Sequence, residues 1–144
     1  MVRKFVLKRS VWVYHLNTGA CNGCDIEVVA ALTPRFDVER FGVKLVGSPR
    51  HADVLVVTGP LTRQALTRVK RVYEMVPEPK AVVAVGTCAC NGGVFKDSPM
   101  VCSPLDKVIP VDVRVHGCPP RPHNILRGVL EAAETLVERG EAHD

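Results

Sequence analysis

Aromatic side chains are scarce in this chain: four Phe, two Tyr and one Trp among 144 residues. With valine and alanine abundant, that scarcity favours a buried α/β interior over an aromatic-lined binding groove. Long apolar runs are missing as well. No stretch approaches the roughly 18 apolar residues of a membrane span, and Phe5-Val6-Leu7 after Arg3 and Lys4 is too short for the apolar core of a secretory signal. The expectation is a chain that stays cytoplasmic and meets a membrane only peripherally. Net charge is modest, +4. Basic residues gather at Arg3, Lys4, Lys8 and Arg9, and again along Arg63, Arg68, Lys70 and Arg71. Neither group interleaves with aromatics, so each reads as a solvated face and nucleic-acid binding is not expected. Docking to an acidic protein or an anionic membrane surface fits such groups better. There is no Walker loop, no Gly-x-Gly-x-x-Gly fingerprint and no serine nucleophile elbow. The histidines (His15, His51, His116, His123, His143) show no metal-ligand spacing among themselves.

What the chain does have is length enough for a core, apolar residues in quantity, and six cysteines. One domain spanning residues 1–144 is expected. Ser10 to Leu16 reads as a first strand and Ile26 to Leu32 as the helix after it, with Ile26, Val29 and Ala30 on one face and Pro34 as the stop. Val43 to Val46 is a short second strand. Val54-Leu55-Val56-Val57 and Ala81 to Val85 are continuous apolar runs of the kind that strands buried on both faces need. Between them, Leu61 to Val76 carries helical spacing, with Leu66, Val69, Val72 and Tyr73 in one stripe. Residues 94–107 read as an irregular loop, Val108 to Val115 as a strand broken by Pro110, and Asn124 to Arg139 as a last helix with Ile125, Val129, Ala132, Ala133 and Leu136 inward. From Gly140 onward a frayed end is expected. Strands alternating with helices predict an open parallel sheet with helices on both faces.

Ligands of such sheets collect outside the carboxyl ends of the strands. Cys21 and Cys24 follow the first strand, Cys88 follows Val85 and Cys118 follows Val115, so three segments can converge on one site. In a reducing compartment, cysteines that recur in such turns are more often metal-binding or catalytic than bridged. One close pair joined by two distant singles is compatible with structural zinc, but is more like an iron–sulfur cluster. A thioredoxin-like role for Cys21 and Cys24 leaves Cys88 and Cys118 unexplained. Gly19, Gly23, Gly86, Gly92 and Gly93 permit close approach of backbone to an inorganic core. Cys90 reads as a buried thiol beside the site, with a swap for Cys88 left open, and Cys102 as a bystander. Glu27 faces either the cluster or solvent. Asp25 is accounted for by the helix dipole, and His116 is a surface residue or a tuner of the site.

The residues Asn17-Thr18-Gly19-Ala20-Cys21-Asn22-Gly23-Cys24-Asp25-Ile26-Glu27 resemble the proximal-cluster motif in small subunits of energy-converting, membrane-bound nickel–iron hydrogenases. Gly47 to Asp53, Gly86-Thr87-Cys88, and Val111 through Pro120 resemble the same family, which includes the complex I subunit that carries its terminal cluster. The resemblance runs over about residues 10 to 135. It implies a flavodoxin-like fold holding one 4Fe–4S cluster through Cys21, Cys24, Cys88 and Cys118, in a non-catalytic electron-transfer subunit. The implied partners are a nickel–iron large subunit, ferredoxin-like iron–sulfur subunits and membrane subunits at the cytoplasmic face of the cell membrane. Because reduction adds negative charge, backbone donors, protonation of Glu27, or Arg50 and Arg121 nearby are expected to tune the potential, with Cys90 as a buried thiol beside the site. Electrons would come from ferredoxin and pass to protons at the partner's metal site. Asn22-Gly23 between the first two cysteines matches the hydrogenases, whereas complex I has two adjacent cysteines there. The loop Val94 to Met100 lacks the tyrosines of the complex I quinone site, which argues against quinone reduction. The further C-terminal cluster domain and twin-arginine leader of periplasmic hydrogenases have no counterpart in the sequence. The alternatives kept open are a sulfur- or quinone-reducing sibling complex and a zinc-stabilised binding module.

Overall fold

A single parallel sheet organises the computed structural model, which describes residues 9–102 and 104–142. Its strands are β1 (Val11–Asn17), β2 (Val43–Leu45), β3 (Val54–Thr58), β4 (Ala81–Val85) and β5 (Val113–Val115). They lie in the order β2-β1-β3-β4-β5, with every neighbouring pair parallel. That order is the flavodoxin-like one, in which the chain changes winding direction between β1 and β3. The register is what matters for the site. Asn17 pairs with Thr58, Thr58 with Val85, and Val85 with Val115. These residues form one row across the sheet, so the loops that follow β1, β3, β4 and β5 leave from a common edge.

The two-residue period of the strands sorts the core into two layers. Val11, Val13, Val54, Val56, Val83, Val85, Val113 and Val115 face helices α1 (Gly23–Ala31) and α4 (Pro122–Ala142). Leu16, Leu55, Val57, Val82 and Ala84 face α2 (Arg63–Met75), the short α3 (Thr87–Asn91) and the buried Leu61, Leu105 and Ile109. Helices therefore cover both faces, as expected. Thr62 caps α2, its hydroxyl oxygen accepting from Ala65 N. Such caps are worth about 1 kcal/mol. At the amino end of the sheet, Asp112 accepts from Val82 N and pairs with Arg139 of α4. Arg63, Arg68, Lys70 and Arg71 are exposed on α2, a solvated face. Arg3, Lys4 and Lys8 lie outside the described residues. Among the described residues no helix is long and apolar enough to cross a membrane.

Four expectations need correcting. Helix α1 starts at Gly23, and it turns Val28 and Ala31 inward, leaving Ile26 and Val29 65% and 59% exposed. The reason is spacing: Cys24, Val28 and Ala31 recur at four and then three residues, which puts one stripe on the sheet once Cys24 faces it. The expected strand from Val108 shrinks to β5 alone. Pro110 has no N–H to give a ladder, and residues 108–112 form no strand, following a 3₁₀ turn at Leu105–Lys107 within the expected plain loop. The loop after α3 is partly ordered by another such turn, Gly93–Phe95. Finally, α4 begins at Pro122, where a missing N–H costs nothing, and continues past Gly140 to Ala142. Residues 143–144 lie outside the described residues.

Gly128 shows how closely α4 lies on the sheet. A Cβ there would sit 2.4 Å from Val115 Cγ2, on a β-branched side chain only 7% exposed. Gly128→Val is expected to lower stability by about 2 kcal/mol through overpacking, read as a shift in the denaturant midpoint at unchanged slope.

Candidate metal centre

The loop after β1 is built by its own polar side chains. Asn17 Oδ1 accepts from Gly19 N at 2.8 Å and from Ala20 N at 2.9 Å. Thr18 is buried, its hydroxyl within 3.1 Å of the carbonyls of Thr58, Gly59 and Pro60. Gly59 has φ +86°, and a Cβ on it would meet Ala20 N at 2.4 Å. Backbone thus lies directly on backbone where the loops after β1 and β3 cross. Cys21 emerges exposed from this loop, and Cys24 follows half-buried in the first turn of α1.

The loops after β4 and β5 are tied in the same manner. Gly86 N donates to Val115 O at 2.8 Å, and Thr87 N donates to Gly117 O at 2.9 Å. Cys88 and Cys118 stand just beyond these bonds. Gly86 also brings the first loop to the other two: a Cβ built on it would lie 2.5 Å from Cys24 Sγ. Cys88 Sγ in turn lies over Gly93, 3.1 Å from where a Cβ would stand. The three segments named from the sequence therefore do meet at the carboxyl edge of the sheet.

Electrostatics links the same residues. Burial first, then charge on Cys21, Cys88, Cys118 and Asp25, together push the Cys24 thiol up to about 11. Cys88 is raised for the same first reason, then by Cys118 and Cys21. Each thiolate makes the next harder to form, a conflict that bound cations relieve and protons otherwise must. Four soft sulfur donors suit iron–sulfur clusters or zinc. Yet among the described residues no three His, Cys, Asp or Glu side chains gather closely enough to hold one metal ion. Cys21, Cys24, Cys88 and Cys118 would be the ligands of such a group.

The other residues singled out from the sequence are distributed differently. Cys90 is buried, its Sγ directed at the carbonyls of Ala84 and Val115 at 3.6 and 3.8 Å. Cys102 packs partly buried against the α2-side core. Glu27 is half-buried on α1, and Arg121 is exposed in the turn after Cys118. Arg50 is the residue not brought to the site. It lies in the Pro49–His51 turn before the amino end of β3, across the length of the sheet from the cysteines. His116 is exposed. Missed altogether was a polar cluster behind Cys24. The Asp25 carboxylate accepts from Asn17 Nδ2 and from Thr58 Oγ1 at 2.6 Å, and His15 Nε2 stands 2.9 Å away. A helix-dipole role for Asp25 does not require those partners.

Residues 21–132 match the family described as NADH ubiquinone oxidoreductase, 20 Kd subunit. The chain is 65% identical over 130 residues to a "probable membrane-bound hydrogenase subunit mbhJ" of Pyrococcus furiosus, covering 90% of this chain and 78% of that one. It is 49% identical over 124 residues to a subunit of the NADH-quinone oxidoreductase of Heliobacterium modesticaldum, covering 85% of this chain and 69% of the relative. Among solved structures, a chain of the membrane-bound sulfane sulfur reductase, an archaeal respiratory membrane complex, superposes with a TM-score of 0.83 at 40% identity. That match covers 98% of this chain and 77% of the other.

Proposed function

The chain belongs to the family of the 20 kDa subunit of NADH ubiquinone oxidoreductase, and on that premise we propose that it is the electron-transfer subunit of a membrane-bound, hydrogen-evolving nickel–iron hydrogenase. The single observation that carries this reading is the meeting of Cys21, Cys24, Cys88 and Cys118 at one edge of the sheet. They would hold one 4Fe–4S cluster, which when bound supplies a one-electron store close to the surface. What the protein contributes is rigidity and position. Short loops leaving one register row, pinned by Gly86, Thr87 and Asn17, change little when an electron arrives.

Transfer needs a partner within reach, and the rim of this site is apolar. Val94, Phe95 and Met100, in the loop after Cys88, are 94%, 47% and 59% exposed. Ile26 and Val29 add the outward face of α1 beside Cys24. Exposed apolar residues grouped in this way support docking of another subunit. The proposed partner is the large subunit that carries the nickel–iron centre, with ferredoxin-like iron–sulfur subunits delivering electrons and membrane subunits anchoring the whole at the cytoplasmic face.

The likeness of 65% to a hydrogenase subunit favours hydrogen chemistry over that of the sulfur-reducing and quinone-reducing relatives. Anaerobic purification of the complex that contains this chain, with nickel, iron, zinc and acid-labile sulfide counted, separates the readings. Iron, sulfide and nickel together are the expected result. Iron and sulfide without nickel would keep the electron-transfer role and move the terminal chemistry to a sulfur or quinone site. Zinc in place of iron would overturn the proposal.

A further inference from the structure

We propose that Asp25 sets the orientation of the Cys21–Cys24 turn and the electrostatic potential at the cluster, and that His15 is the positioning residue for Asp25. This rests on the iron–sulfur reading of the site.

The carboxylate is 16% exposed and is surrounded by donors from two strands: Asn17 and His15 from β1, Thr58 from β3. Hydrogen positions follow from the chemistry of the groups. Thr58 gives its one hydroxyl hydrogen to Asp25 Oδ1. Its lone pairs then face His15 Nε2 at 3.0 Å, while the same nitrogen stands 2.9 Å from Asp25 Oδ1. Both oxygens in that position accept, so Nε2 carries the hydrogen. A neutral ring in that tautomer is enough. Asn17 works in two directions: Nδ2 donates to Asp25, and Oδ1 receives Gly19 N and Ala20 N. The turn holding Cys21 and the helical turn holding Cys24 therefore hang from one side-chain network. A carboxylate serving the α1 dipole alone would sit as well in solvent.

The charge has a definite sign of effect. An anion beside a cluster ligand opposes the arrival of an electron, and each donor that draws on that anion weakens the opposition. Asp25→Asn removes the charge and should raise the midpoint potential. His15→Ala removes a donor and should lower it. General loosening of the turn would give no reason for opposite signs. His15→Gln keeps an N–H donor and should return the potential toward that of the unaltered protein. In the double variant, the potential should match that of Asp25→Asn, because His15 acts through the carboxylate.

The test uses the full chain purified without air, with iron and sulfide counted, the midpoint potential titrated and the electron paramagnetic resonance g-values recorded. Opposite shifts at full iron content, with recovery in His15→Gln, are expected. Equal potentials and unchanged g-values in Asp25→Asn and His15→Ala, or shifts of the same sign, overturn the proposal. Should Asp25→Asn lose its iron, the comparison of His15→Ala with His15→Gln decides. An unaltered chain that lacks iron and sulfide refutes the underlying cluster reading instead.

Discussion

Cys118→Ala is expected to lose its iron and acid-labile sulfide almost completely, together with the visible absorption and paramagnetic signal of the cluster. Cys102→Ala and Cys90→Ala are expected to keep them. The contrast follows from where each sulfur is held. Cys118 is exposed at the turn after β5, on a loop bound through Gly117 O to Thr87, while the two cysteines not assigned as ligands are held in the core layer under α2. Three ligands leave an iron with an open position, and clusters bound through cysteine thiolates use four. Cys90 lies only two residues from Cys88, but its sulfur is turned down onto the carbonyls of Ala84 and Val115. Cys102 belongs to the packing under α2. Full iron in Cys118→Ala would sink the four-ligand assignment, and loss of iron in Cys90→Ala would show that Cys90 takes the place of Cys88.

The parts of this structure that were legible in the sequence are those fixed by local pattern. Val54 to Val57 and Ala81 to Val85 could hardly be anything but buried strands, and the stripe from Ile125 to Leu136 could hardly face outward. Cysteines directly after such strands follow from the general geometry of parallel sheets. The errors arose where partners distant in sequence decide. Nothing local says that Cys24 rather than Ile26 faces the sheet, because both inward and outward stripes of α1 are apolar. Arg50 is a cation with no local signal of which end of the sheet it occupies; it lies before the amino end of β3, and a parallel strand separates its two ends by its full length. The Asp25 network joins residues 8 to 43 positions apart, and only the pairing of Asn17 with Thr58 across β1 and β3 brings them together. One signal was available. Asp25 follows a ligand in a first turn, and His15 precedes it by one short loop on the same sheet face as Val11 and Val13.

Gly86→Ala is expected to damage both the fold and the cluster, for two separable reasons. At φ +91° and ψ 154° this residue occupies a region of backbone space that only glycine adopts readily. Forcing a side chain there costs about 1–3 kcal/mol, which for a domain of this size lowers the thermal midpoint on the order of 5–10 °C. That part should be measurable in the metal-free chain, where no ligand geometry is at stake. The second part concerns contact. The new methyl would fall 2.5 Å from Cys24 Sγ, and that sulfur cannot retreat without leaving the position it needs as a ligand. Iron content should therefore drop further than the loss of stability alone would cause. Gly140→Ala provides the control, because a Cβ there meets nothing within 4 Å and the position is helical. Alanine in a helix is favoured over glycine by about 1 kcal/mol, so that variant should be at least as stable as the unaltered protein and keep its full iron. A Gly86→Ala protein with unchanged melting in the metal-free form and undiminished iron would mean that the β4 loop yields to a side chain, and that Cys24 is not held against Gly86 when the cluster is in place.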